Sequence, residues 1–175
     1  MTQAAAAPID RPFSSSAAPV GSFILLTCRI LLGGLFCFAA SMKIRDPQTF
    51  LEAIQAFKVP LSNWWMLFGT YAIPWIEMLA GIALIVGLWS RAAALVLIGL
   101  LGVFIGALAH IIPLIGDKHI PCSCFGRYEL FCTGGVSWCK VRENCGLIAL
   151  GLVPMLFGGG RLSLDWLLYG REPRT

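Results

Sequence analysis

Four long apolar runs, interrupted by almost no charge, decide what this chain can fold into. Gly21 to Ala40 carries one formal charge, Arg29; Trp64 to Leu88 carries one, Glu77; Ala92 to Ile115 carries none. Each reaches the roughly 20 residues a membrane-spanning helix needs. The fourth run, Cys145 to Gly160, is shorter and is broken by Pro154 and by Gly158 to Gly160. It must borrow flanking residues or tilt through a thinned region. Hydrophobic residues make up 58% and charged residues 13%, whereas a soluble domain carries about 25% charged. A soluble enzyme and a disordered chain are both excluded. Continuous runs, not alternating strands, select helices over a barrel, because a backbone in lipid must satisfy its own hydrogen bonds. The expected fold is an all-α membrane protein, a four-transmembrane-helix bundle over residues 21–160.

The first 20 residues are rich in Ala, Ser and Pro and have little to bury, which predicts a flexible tail. Residues 161–175 form a second tail. The first apolar run is too long for a signal-peptide core and holds Arg29 in its middle, so it is expected to be retained. Pro47 to Lys58 places Phe50, Leu51, Ile54 and Phe57 at helical spacing and predicts a short helix on the membrane interface. Trp64 and Trp65 mark the next entry into the membrane. With four spans both termini lie on one side, together with the Leu88 to Arg91 turn. That side carries five Lys and Arg residues and the other carries seven, so the positive-inside count barely discriminates. The net charge of +4 fits membrane proximity, and no basic, aromatic-interleaved stripe supports a nucleic-acid partner.

Two constellations stand out. Arg29 and Glu77 come to similar depth, roughly 12 to 17 Å from the side of the termini at ~1.5 Å per residue. An unpaired ion there is costly, so an Arg29–Glu77 pair is expected inside the bundle, as a structural clamp or as a proton or ligand site. Helical phase puts Arg29, Gly33, Phe36, Ala40 and Lys43 on one face, and Pro74, Glu77, Gly81 and Leu84 on another. On the third run Gly99, Val103, Gly106, His110 and Pro113 share the face expected to look inward, with His110 near the opposite rim.

The second constellation is cysteine. Cys28 and Cys37 lie in the first run, while Cys122, Cys124, Cys132, Cys139 and Cys145 cluster between the third and fourth, the first four of them in a predicted cysteine-rich loop over 116–144. Three readings compete there. Disulfides could staple a long extracytoplasmic loop. Cys122 and Cys124 could exchange thiols and disulfides, with Cys132 and Cys139 as staples or resolving thiols. A metal site is the weakest reading, because the paired C-x-x-C spacing of structural zinc is missing.

The series Arg29, Gly33, Phe36, Lys43 with Asp46-Pro47-Gln48-Thr49-Phe50, Pro60, Pro74-Trp75-Ile76-Glu77, Gly81 and Gly87, Cys122-Ser123-Cys124-Phe125-Gly126 and Arg142-Glu143-Asn144 resembles the DoxX-related membrane proteins. Among them it is most similar to the MauE methylamine-utilisation family. Cys132, Cys139 and the long stretch from Phe125 to Arg142 depart from that pattern and leave the client protein open. The resemblance implies a multi-pass protein of the bacterial inner membrane that is redox-associated and serves the maturation of a disulfide-rich periplasmic partner. The cysteine loop would then be periplasmic and the termini cytoplasmic. On that basis Cys122 and Cys124 are expected to be the exchange pair, with Lys43 and His110 auxiliary. Regeneration would draw on a quinone or on another thiol protein, although no quinone motif is present and no cofactor is implied by the residues themselves. The alternative is a noncatalytic membrane subunit that anchors or assembles a quinone-linked oxidoreductase. A transporter is disfavoured, since no inverted repeat or broken helix pair is evident.

Overall fold

A computed structural model describes residues 19–57, 62–115, 136–158 and 163–164. Among these residues five helices form: α1 (Pro19–Arg45), α2 (Pro47–Ala56), α3 (Asn63–Val86), α4 (Ser90–Ile115) and α5 (Trp138–Phe157). Gly21–Arg45, Asn63–Val86 and Ser90–Leu114 are long and apolar enough to cross a membrane. Three of the four expected spans are therefore met. Helix α5 does not reach the same standard, because its 20 residues include Lys140, Arg142 and Glu143 within the first two turns. It begins at Trp138, so the last seven residues assigned to the cysteine loop are helical. The two terminal tails lie almost wholly outside the described residues.

The four long helices pack in a ring, with α1 against α3, α3 against α4, α4 against α5 and α5 back against α1. Glycine fixes the closest crossing. A Cβ on Gly33 would stand 2.7 Å from the Gly81 carbonyl oxygen, and one on Gly81 would stand 2.9 Å from the Gly33 oxygen. Only two glycines let these backbones approach so closely, which is how small residues drive packing in lipid. Gly151 of α5 fits in the same way between Ile98 of α4 and Leu32 of α1. Around these crossings Leu32, Phe36, Ala80, Leu84, Ala93, Ala94, Leu97 and Leu101 form the main core.

At one end of the bundle two helix C-termini are closed by arginine. The last carbonyls of a helix have no partner within it. Arg29 Nε donates to the Leu84 carbonyl at 2.8 Å and Arg29 Nη2 to that of Ile85 at 2.9 Å. The backbone N–H groups of Gly87 and Leu88 both donate to Ala83 O at 2.9 Å. Arg91, from the start of α4, donates to Leu156 O at the end of α5 at 3.2 Å. Each cation also complements the negative end of the helix dipole.

Glycine at 87 is required twice. Its φ is +81°, and a Cβ there would run into the Arg29 guanidinium and Ser163.

At the opposite end, α2 is built as the sequence predicts over Pro47–Ala56. Asp46 caps it, accepting from the Thr49 N–H at 3.3 Å and from the Thr49 hydroxyl at 2.6 Å, and Pro47 occupies the first turn, where a missing N–H costs nothing. Just past its end Phe57 is buried with Leu108 and Ile111 of α4, and Val136 and Val141 pack on the same cluster. The interfacial helix is thereby tied to the α4–α5 half of the bundle.

One sequence expectation fails. Gly99, Val103, Gly106, His110 and Pro113 do not face inward; all five are exposed, Val103 by 74%. Leu97, Leu101, Leu108 and Ile111 are the buried face of α4. This helix holds no charge between Ala92 and Ile115, and apolarity cannot tell a protein-facing side from a lipid-facing one. Ala93, Ala94, Leu97, Leu101, Leu108 and Ile111 take the core, and the three glycines at 99, 102 and 106 are left on the outside.

Gly87→Ala should lower stability by roughly 2 kcal/mol or more, combining left-handed backbone strain with displacement of Arg29. Gly102→Ala, with nothing within 4 Å of the added methyl, should leave it unchanged. Thermal unfolding of the two variants in detergent checks the contrast.

Candidate functional site

The charged residues expected inside the bundle are buried there, but in different company. Arg29 is fully buried and Glu77 is 5% exposed, yet they do not pair. Glu77 instead accepts from Lys43, whose Nζ lies 2.7 Å from both carboxylate oxygens. The reason is directional. Cα–Cβ bonds tilt toward the N-terminus of their own helix. In the antiparallel α1–α3 pair, with Gly33 opposite Gly81, Arg29 leans toward the C-terminal end of α3, away from Glu77. Lys43 and Glu77 lean toward each other and span the two turns between their levels. The Phe50 ring of α2 lies 5.1 Å from Lys43 Nζ, adding a cation–π contact. Asp46-Pro47-Gln48-Thr49-Phe50 thus caps α2 and lays an aromatic ring against the buried ammonium.

A second buried pair lies at the start of α5. Lys140 Nζ is 3.3 Å from Glu143 Oε2, and both side chains are about 95% enclosed. Asn144, also buried, donates its amide back to the Lys140 carbonyl at 2.7 Å. Leu32 of α1 meets Gly151 of α5, so stepping eight residues along each antiparallel helix brings Glu143 level with Ala40. Lys140 then lies level with Lys43. The two ion pairs therefore occupy one layer of the bundle, near the end where α1 and α4 finish and α3 and α5 begin.

Lys140, Glu143 and Asn144 are not legible as site residues in the sequence, because the apolar run begins at Cys145 although the helix begins at Trp138. Their spacing of three and four residues was the available signal.

The cysteines divide by position. Cys28, Cys37 and Cys145 are free. Cys37 Sγ donates to the Met78 carbonyl at 3.8 Å and packs against the Gly33–Gly81 crossing. Cys145 is exposed on α5. Cys139 is disulfide-bonded, and its partner lies outside the described residues. Cys122, Cys124 and Cys132 also lie outside them. Cys139 follows Ser137, the N-cap, and Trp138, so its sulfur is in the first turn of α5, where a thiolate is favoured by the helix dipole. His110 is exposed on the outer face of α4 and does not join the buried charge layer. No group of His, Cys, Asp and Glu suited to a metal ion occurs among the described residues.

Exposed tryptophans bracket this architecture. Trp64 and Trp65 stand at the start of α3, Trp138 at the start of α5, and Trp89 in the α3–α4 turn. From Trp65 to Val86, the last residue of α3 before the Trp89 turn, is about 32 Å at ~1.5 Å per residue, close to the spacing of the two interfacial belts of a bilayer. Three long apolar helices with large apolar side chains on their outer faces, and with Arg29, Lys43 and Glu77 buried between them, define a multi-pass integral membrane protein.

The chain belongs to the family described as methylamine utilisation protein MauE, whose profile matches residues 21–157. It is 35% identical over 129 residues to "Methylamine utilization protein MauE" of Paracoccus denitrificans, covering 74% of this chain and 67% of that protein. No solved structure matches.

Removing one partner of a buried ion pair strands the other charge and costs about 3 to 5 kcal/mol. Lys43→Met should therefore destabilise strongly, and Lys43→Met combined with Glu77→Gln should recover most of the loss. Unfolding of the single and double variants in mixed micelles measures the coupling, and an additive double variant would show that the pair contributes nothing.

Proposed function

We propose that this chain is a thiol–disulfide exchange or maturation factor, serving a disulfide-rich periplasmic partner in methylamine utilisation. Membership of the MauE family ties it to that process. One observation supports the finer reading: Cys139, in the first turn of α5, is disulfide-bonded, while Cys28, Cys37 and Cys145 along the helices are free. An oxidised cysteine beside a segment with three more is what an end facing an oxidising compartment requires.

In this reading α5 is the fourth span, the 116–135 segment faces the periplasm, and both termini lie in the cytoplasm of a bacterial inner-membrane protein. Cys122 and Cys124 are the pair that meets the client, forming a mixed disulfide that a second thiol then resolves. The chain's own buried charges hold the helices that present this segment. Arg29 closes α3, and Lys43 with Glu77 locks α1 to α3 beneath it.

Cys124→Ser should leave Cys122 without its resolving neighbour and accumulate a mixed disulfide with the client, visible as a reductant-sensitive band on a non-reducing gel of membranes. Absence of any such adduct, together with stable co-purification of an oxidoreductase by both Cys122→Ser and Cys124→Ser variants, would instead support an anchoring subunit with structural cysteines.

A further inference from the structure

The outer face of α3 carries large aromatic side chains far below the membrane surface. Trp64, Phe68, Tyr71 and Trp75 follow one another at steps of four, three and four residues, which keeps them on one face, and they are 54 to 72% exposed. Tryptophan and tyrosine belong at the interface, where Trp64 stands, and not deeper. Tyr71 is the ninth residue of α3 and Trp75 the 13th of 24, so Trp75 lies near the middle of the membrane. Neither the Tyr71 hydroxyl nor the Trp75 indole N–H has a partner among the described residues, and hydrocarbon offers none.

The neighbouring helix shows the opposite relief. Gly102, Gly106, Ala109 and Pro113 line one exposed face of α4, and a Cβ on Gly102 or Gly106 would meet nothing within 4 Å. Glycine weakens a helix. Gly102 and Gly106, unlike Gly33 and Gly81, gain no contact within the chain in return.

The ridge and the hollow lie at matching depths. Three residues separate the end of α3 at Val86 from the start of α4 at Ser90, so depth can be counted from that turn along both helices. At ~1.5 Å per residue, Trp75 and Gly102 lie roughly 17 and 18 Å from it, Tyr71 and Gly106 roughly 23 and 24 Å, and Phe68 and Ala109 roughly 27 and 29 Å. Trp64 and Pro113 match in the same way at the far end.

We propose that these two faces meet between two copies of this chain, the aromatic ridge of α3 on one copy seated in the glycine-lined strip of α4 on the other. Two copies inserted in the same sense keep equal depths equal, so each ring finds its hollow without a shift along the membrane normal. Because α3 and α4 are neighbours in the ring of helices, a two-fold axis along that normal makes the contact twice, the closed arrangement most homo-oligomers adopt. Covering four such rings on each copy, at up to about 200 Å² apiece, takes the contact past the roughly 1,000 Å² a specific interface needs.

The pairing also answers the stranded donors. Tyr71 leans toward the start of α3 and His110 toward the start of α4, so hydroxyl and imidazole converge across the contact. Opposite Gly102, the Trp75 N–H reaches the backbone of α4, whose carbonyl oxygens each keep a second lone pair. Small residues let helix backbones approach in lipid, and here the rings of the second copy fill the approach.

The test reconstitutes the full chain in liposomes, with one fluorophore on an appended C-terminal tag, and counts copies by single-molecule photobleaching as protein is diluted in lipid. The wild-type chain should bleach in two steps. Gly106→Leu should raise the protein-to-lipid ratio at half-dissociation by about 10- to 100-fold, the scale of an overpacked contact, and Trp75→Ala on the opposing helix should raise it similarly. Gly146→Leu, an equal change at an open and exposed site on α5, should leave it unchanged. Adding Tyr71→Ala to Gly106→Leu removes the ring facing the new side chain and should restore most of the association. In dilute detergent, with one copy per micelle, every variant should elute as one folded species, because each substituted side chain is on the outer surface.

Single-step bleaching of the wild-type chain at every ratio would overturn the proposal, including the case in which the chain then binds a helix of another protein. So would a dimer that both Gly106→Leu and Trp75→Ala leave intact. A dimer that Gly106→Leu breaks and the added Tyr71→Ala does not mend would overturn it too, since that is the behaviour of α4 packed on α4.

Discussion

A carboxylate halfway along an apolar helix is the constraint around which this bundle is arranged. Glu77 is the 15th residue of the 24 in α3, and lipid offers it neither water nor a counterion. Lys43 answers it from the far end of α1, which is possible only if the two helices run antiparallel in one register. That register is the one set by Gly33 against Gly81, so backbone contact and charge pairing specify the same alignment. Agreement between independent signals of this kind is what makes a fold unique. The same lysine lies beside Phe50 and so brings α2 under the bundle, and Phe57 then carries the contact across to α4 and α5.

The two ends of the bundle do different jobs. At the end where α3 and α5 finish, arginines fill exposed carbonyls and glycines at 87 and 158 turn the chain with positive φ. At the other end lie two buried ion pairs, one saturated and one with open acceptors, and the first turn of α5 with its oxidised cysteine. Buried charge in a membrane protein is expensive and marks function more often than it marks stability. Both buried ion pairs lie at this end, while the third buried cation, Arg29, closes the other.

Much of this was legible in the sequence. The apolar runs pointed to α1, α3 and α4, the helical spacing of Phe50, Leu51, Ile54 and Phe57 to α2, and helical phase placed Arg29, Gly33, Phe36, Ala40 and Lys43 together on the inner face of α1. Phase alone could not choose the partner of Glu77, because depth along the axis was counted at the Cα and not at the end of a tilted side chain. The face of α4 was misread because an uncharged helix between lipid and protein offers no polar contrast to orient it. Glu143 and Asn144 were legible only as part of the family motif Arg142-Glu143-Asn144, and not as a buried site with Lys140, because the apolar run starts at Cys145 whereas the helix starts at Trp138 and buries these polar residues.

The central claim is that the end of the bundle bearing Cys139 faces an oxidising compartment and carries exchangeable disulfide chemistry. Labelling intact cells with a membrane-impermeant maleimide, before and after mild reduction, tests it most directly, with mass spectrometry assigning the modified cysteines. The account predicts that Cys122, Cys124 and Cys139 are labelled from outside only after reduction, while Cys28 and Cys37 stay unlabelled. Labelling of Cys122, Cys124 and Cys139 without reductant, and only once the membrane is opened, would place them reduced in the cytoplasm and contradict it.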